Sequence, residues 1–202
     1  MTRLCFGFDH AQAMGRRFSK SLGRKTHGDP LAGISTLNED EAFTLLDSLE
    51  EDAFFLILDQ VQDPRNFGAC LRSADAAGVN LVVMPSDRSA GLSEVVRHVA
   101  AGAAETLPLA RVKNLARFMG LLKDRSVFLV GTSDQATQTL YEITLTGPLG
   151  LVVGAEGTGV RRLTASQCDE LVNIPMFGKV DCLNVSVATG VCLFEAIRQR
   201  RL

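Results

Sequence analysis

The stretch from Phe54 to Pro85, FFLILDQVQDPRNFGACLRSADAAGVNLVVMP, opens and closes in apolar runs with an amphipathic segment between them. FFLILD (54–59) holds no polar residue before its last position, the pattern of a strand covered by protein on both faces. In NFGACLRSADAAGV (66–79), Phe67, Leu71, Ala74 and Gly78 recur at helical spacing on one face. NLVVMP (80–85) is a second apolar strand. Strand, helix and strand in this order make a βαβ unit, whose crossover forces the two strands to run parallel.

Outward from this unit the alternation continues. LSEVVRHVAAGAAE (92–105) predicts a helix carrying Leu92, Val95, Val96 and Val99, and TLPLARV (106–112) a short strand. NLARFMGLLKD (114–124) predicts a helix and VFLVGT (127–132) another strand. LGLVVG (149–154) and LVNIPM (171–176) are the last two strands, and NVSVATGVCLFEAIRQR (184–200) closes the chain as a helix. On the other side, NEDEAFTLLDSLEED (38–52) places Ala42, Leu45, Leu46 and Leu49 at helical spacing behind an Asn38 cap and an acidic first turn. The expected fold is α/β, a mostly parallel sheet with helices on both faces. Residues 1–30 show no sustained period and read as a weakly ordered basic arm, 31–52 as a linker with one helix, and 53–202 as a single domain.

Net charge is −2, so no global basic footprint announces a nucleic-acid binder. The charge is uneven: Arg3, Arg16, Arg17, Lys20, Arg24 and Lys25 make the start basic, whereas Glu39–Asp52 is acidic with no Lys or Arg. The cysteines Cys5, Cys70, Cys168, Cys182 and Cys192 form no C-x-x-C pair, and His10, His27 and His98 are far apart, so no metal site is expected. Reduced thiols in a cytoplasmic protein are the simplest account. No apolar run reaches the ~18–20 residues of a membrane span, and the amino-terminus has no apolar core of a secretory signal.

GAEGTG (154–159) follows a strand, as a nucleotide-binding turn would, but its spacing is neither the G-x-G-x-x-G of a dinucleotide fold nor a Walker loop. A phosphate cradle relies on backbone N–H groups, and Glu156 would repel the anion. A ligand lacking phosphate and carrying positive charge removes that conflict, and S-adenosylmethionine, a sulfonium, is one. A tight turn with a solvated glutamate is the plainer alternative. In the first unit Asp63-Pro64 reads as a turn, Asn66 as a cap of the coming helix, and Gly68 as room beside it. Arg72 either reaches solvent or returns to the sheet edge to hold a phosphate. Asn184 and Ser186, after the polar, glycine-bearing loop that follows the last strand, are candidate caps of the closing helix.

Together, DPRNFGACLRSADAAGV (63–79), LVVGAEGTGV (151–160) and NIPMFGKVDCLNVSVATGVCLFEAIRQR (173–200) resemble the three motifs of the SpoU/TrmH family of SPOUT RNA 2′-O-methyltransferases. The likeness spans about Phe54 to Arg200 and is closest to the branch that methylates a guanosine of 23S rRNA. It implies a deep trefoil knot near the carboxyl terminus, an exception to unknotted topology. It also implies S-adenosylmethionine held mainly by backbone, on loops carrying Thr132, Gly154, Gly157, Ile174, Met176, Leu183 and Ser186. Asn66, Arg72, Glu156 and Asn184 match the family's catalytic positions.

Guanidinium is effectively never deprotonated, so Arg72 is assigned to holding the target phosphate and favouring the developing alkoxide, and the general base stays unassigned. Asn66 and Asn184 would orient groups by hydrogen bonds, and Glu156 would shape the site. Cys182 stands where the family motif usually has serine, which weakens one polar contact. The resemblance further implies an RNA partner and a homodimer, for which Val187, Val191, Phe194 and Ile197 on the closing helix offer an apolar stripe. Residues 1–30 are shorter than the RNA-binding domain found in that branch, which leaves the RNA open, while the short tail after the last helix favours rRNA over tRNA. A tRNA methyltransferase of the same family, or a non-catalytic RNA-binding or ribosome-assembly protein, are the other readings.

Overall fold

Alternation along the central strand organises the molecule. Strand β2 (Phe54–Asp59) is buried throughout, and its successive side chains leave on opposite faces. Phe54, Leu56 and Leu58 join one core with Phe67, Leu71, Val96 and Leu193, whereas Phe55 and Ile57 join a second with Leu45, Phe118 and Leu122. A sheet loaded on both faces is what the unbroken apolar run requires. The computed structural model describes residues 36–87, 89–155, 157 and 159–201. The basic arm (1–30), residues 31–35 of the linker, and Glu156 lie outside them.

In chain order the strands are β1 (Thr36–Leu37), β2, β3 (Leu81–Pro85), β4 (Leu109–Val112), β5 (Phe128–Thr132), β6 (Gln138–Thr139), β7 (Leu149–Gly154) and β8 (Glu170–Asn173). They form one sheet in the order β1-β4-β3-β2-β7-β5-β8-β6, and every pairing among them is parallel. β8 lies between β5 and β6, so the connection 133–137 between those two spans it. Ser133 N–H donates to Val172 O at 2.9 Å and Asn173 Nδ2 to Ala136 O at 2.6 Å, tying that connection to the strand beneath.

The helices are α1 (Glu39–Asp47), α2 (Pro64–Ala76), α3 (Glu94–Ala100), α4 (Ala103–Thr106), α5 (Leu115–Lys123), α6 (Arg162–Ala165) and α7 (Val185–Arg200), with a 3₁₀ turn at Leu140–Glu142. The expected Asn38 cap of α1 forms, and the structure adds a reciprocal hydrogen bond from Asn38 N–H to Glu41 that makes it a capping box.

Three expectations need correction. α2 is capped by Asp63, not Asn66: the Asp63 carboxylate accepts from Arg65 and Asn66 N–H at 2.8 and 2.9 Å, and Pro64 takes the first helical position, where no N–H is needed. Gly78 is not on the helical face; it is exposed at φ 72°, the left-handed residue that ends the helix. The single helix expected over 92–105 is two, because Ala101 (φ 53°) and Gly102 (φ 100°) break it.

Candidate active site

Three neighbouring strands, β7, β5 and β8, end side by side at Gly154, Thr132 and Asn173, so the loops carrying the expected cofactor residues leave one sheet edge. After Gly154 the chain doubles back, with Gly159 N–H donating to Ala155 O at 2.8 Å. A Cβ on Gly154 would stand 1.9 Å from the Gly159 carbonyl carbon and 2.1 Å from Val160 N. Glycine is thus required because the turn crosses its own strand. Gly157 (φ 81°) and Gly159 (φ 63°) supply the left-handed conformations that reverse the direction. Likewise, the room beside Gly68 is filled by α3: a Cβ there would meet Val96 O at 2.8 Å.

Asp59, fully buried at the end of β2, fastens the far side of this turn. It sits opposite Gly154 in the β2–β7 register. Its carboxylate accepts from Arg161 N–H at 3.0 Å and Nε at 2.8 Å, and lies 2.6 Å from Nη2. A two-oxygen carboxylate met by backbone and guanidinium together offsets the cost of burying charge. Neither residue is among those the motifs single out. The available signal is an acid ending a doubly buried strand, which demands a cation somewhere in the chain.

Helices α2 and α7 pack side by side and run the same way. Asn184 Nδ2 donates to Asn66 Oδ1 at 3.0 Å, the Cys70 thiol meets the Thr189 hydroxyl at 3.5 Å, and a Cβ on Gly190 would lie 3.8 Å from Ser73 Oγ. Contacts that ascend together along both chains define parallel helices, so two amino-terminal ends with their partial positive charge converge at the Asn pair. Asn184 also caps α7 as expected: its Oδ1 accepts from Ser186 N–H at 2.9 Å and from Ser186 Oγ at 2.7 Å. Its oxygen is therefore occupied, and the group it directs at Asn66 is a donor. Ser186 serves this cap with its hydroxyl.

The other expected residues lie on α2, at the end of β5 and between β8 and α7. Arg72 is exposed on the middle of α2. Thr132 is half-buried with Oγ1 3.4 Å from Val152 O. Ile174 packs against the core, and Met176 and Leu183 are half-buried where the chain passes from β8 to α7. The strand stops at Asn173, so Ile174–Met176 is loop rather than the strand end expected. Between them Phe177 is 97% exposed, and Cys182 is exposed. Burial pushes the thiol of Cys70 up to about 11 and those of Cys168 and Cys192 to about 12, which keeps them protonated and unreactive at neutral pH. Among the described residues no group of three metal-binding side chains occurs, and no helix is long and apolar enough to cross a membrane.

Residues 53–194 match the SpoU rRNA Methylase family. A 23S rRNA (guanosine-2′-O-)-methyltransferase of Pectobacterium atrosepticum is 63% identical over 140 residues, covering 69% of this chain and 57% of the relative. One of the same name from Photobacterium profundum is 52% identical over 190 residues, 91% of this chain and 77% of that protein. The chain therefore spans little more than half the length of the first relative and about three quarters of the second. Among solved structures, the SpoU methyltransferase AviRb from Streptomyces viridochromogenes in complex with the cofactor AdoMet superposes with a TM-score of 0.69 at 28% identity, over 75% of this chain and 62% of that one.

Proposed function

The chain belongs to the SpoU rRNA Methylase family, and from that premise we propose that it is an S-adenosylmethionine-dependent RNA ribose 2′-O-methyltransferase acting on a guanosine of 23S rRNA. The observation that carries this reading is the Asn184–Asn66 hydrogen bond, 118 residues apart in sequence, at the joint start of two parallel helices. Relatives bearing that activity in their names, 52–63% identical to this chain, support the RNA assignment.

The residues present fit the cofactor. Three loops leave one sheet edge, half-buried Ile174, Met176 and Leu183 offer apolar contact, and no phosphate cradle is required. Thr132, Gly154, Gly157 and Leu183 would hold it, with Ser186 acting through the Asn184 cap. When bound, it supplies a sulfonium methyl for in-line transfer to the ribose 2′-hydroxyl. Asn184 and Asn66 orient that hydroxyl, and donors from their amides together with the two helix ends stabilise the oxygen as negative charge develops. Arg72 holds the target phosphate, and Glu156 keeps the site-shaping role that its motif position implies.

The interposed β8 is the strand placement expected if the chain threads beneath the 133–137 connection as a trefoil knot. We assign residues 53–202 to the methyltransferase domain and the protein to the cytoplasm, where its substrate and its free thiols are at home. We further assign it a homodimer that covers the outer face of α7.

The test is methyl transfer from labelled S-adenosylmethionine to unmodified 23S rRNA, with tRNA as the competing substrate. Arg72→Ala should lose ~10²–10³ in turnover while calorimetric cofactor affinity stays within error. Wild-type turnover in that variant would remove Arg72 from the mechanism. Transfer to tRNA alone would replace the substrate.

A further inference from the structure

A cleft of about 500 Å³ opens at the carboxyl ends of β2, β3 and β4, next to the glycine turn, and none of the expected cofactor residues nor the Asn pair lines it. Lys113, Arg161 and Arg162 line it against one acid, Asp87. Arg161 is neutralised by Asp59. Neither Lys113 nor Arg162 forms an ion pair with another described residue, and both are exposed. Two uncommitted cations against one carboxylate leave the cleft positive in a chain whose net charge is −2.

The cleft also has an apolar component. Pro85 forms part of its lining, and Leu163 of α6 stands 74% exposed beside the two arginines. Cations that alternate with exposed apolar surface suit a ligand that alternates phosphates with flat bases. The size lies within the roughly 300–1,000 Å³ range of ligand clefts. The contrasting cleft at the opposite, amino-terminal edge of the sheet is lined by Asp47, Glu51 and Asp52 with Arg125, which disfavours a polyanion. Position completes the case: Arg161, at the end of the glycine turn, is latched to Asp59 at the end of β2, so the turn and the cleft share one wall.

We propose that this cleft is a subsite for single-stranded RNA flanking the methylated nucleotide, with Lys113 and Arg162 on its phosphates and Leu163 against a base. The proposal rests on the RNA methyl-transfer reading, and its test separates the two. Binding of a fluorescein-labelled single-stranded oligoribonucleotide by the 202-residue chain is followed by anisotropy across a salt series, alongside methyl transfer to rRNA. The doubly neutralised variant Lys113→Gln, Arg162→Gln should bind about tenfold more weakly, its log–log salt slope shallower by ~0.7 for each phosphate it no longer neutralises. Its affinity for S-adenosylmethionine and its kcat at saturating RNA should be unchanged. Leu163→Ala should weaken binding without changing the slope.

If the double variant keeps wild-type affinity and slope while the wild type transfers methyl, the subsite is wrong and the activity stands. If the variant binds more weakly with the shallower slope but the wild type transfers no methyl, the subsite stands and the activity falls. A wild-type chain that binds no oligoribonucleotide overturns the subsite, and its methyl transfer alone decides the activity.

Discussion

Gly154 and Asp59 face each other across adjacent strands and fix the glycine turn from its two ends. The steric requirement at Gly154 is severe, because the atoms an added Cβ would meet are backbone rather than flexible side chain. Gly154→Ala should therefore unmake the turn and cost cofactor affinity at least tenfold by calorimetry. Gly157→Ala, with open space around it but a φ of 81°, should lose only ~1–2 kcal/mol of stability. Equal effects at the two positions would contradict the crossing of the turn over Gly154. Asp59→Ala removes a buried carboxylate and leaves the Arg161 N–H unpaired, although the arginine side chain itself reaches solvent. Urea unfolding should register a loss of ~2–3 kcal/mol; a loss below ~0.5 kcal/mol would mean the latch is dispensable. Thiol chemistry gives a third reading at this scale. Iodoacetamide at pH 8 should label Cys182 and spare Cys70, Cys168 and Cys192, whose burial raises their thiol pKa to about 11–12. Rapid native-state labelling of Cys192, read by peptide mass spectrometry, would show that α7 does not stay packed.

Between elements, the α2–α7 pairing decides whether the two motifs act together. A double-mutant cycle on Asn66→Ala and Asn184→Ala, read as log kcat/KM, should give a coupling of at least ~0.5 kcal/mol, since the side chains share a hydrogen bond. Strict additivity would separate them. What the sequence reveals at this level follows from signal length. β2, β3 and β7 are whole apolar runs, and α2, α5 and α7 are long enough for their period to show, so their existence and the parallel sheet are readable. β1 and β6 are two residues each and owe their form to a neighbouring strand, which no local pattern carries. Asp63-Pro64 reads as a turn because the same dipeptide also makes a cap followed by a first helical residue. The site is legible through its motifs, which place Asn66 and Asn184 in one constellation. The Asp59–Arg161 contact, 102 residues apart in sequence, is not legible, because nothing local to either residue names its partner.

At the scale of the molecule, α7 is asked to satisfy two environments. Cys192, Leu193 and Ala196 are buried against α2 and the sheet. On the outward side Val187 and Phe194 are each 51% exposed, and Val191 and Ile197 are only partly covered. A helix covering one side of a sheet needs a single apolar stripe, and the second stripe lies on the element that begins at the Asn pair. A C2 partner laid on this face would meet its own copy of the same residues and would bring the second chain to the border of each site. Burying a side chain such as Val or Phe contributes ~1.5–3 kcal/mol, so a charge at the centre of the patch should dissociate the pair. Phe194→Glu is expected to run as a 21.8 kDa monomer by light scattering, with unchanged circular dichroism and methyl transfer reduced at least tenfold, whereas the wild type is expected at twice that mass. Activity retained in a monomeric Phe194→Glu would show that each site is complete within one chain. A wild-type mass that stays at one chain at every concentration, in a sample that transfers methyl, would leave the outer face of α7 without the partner assigned to it.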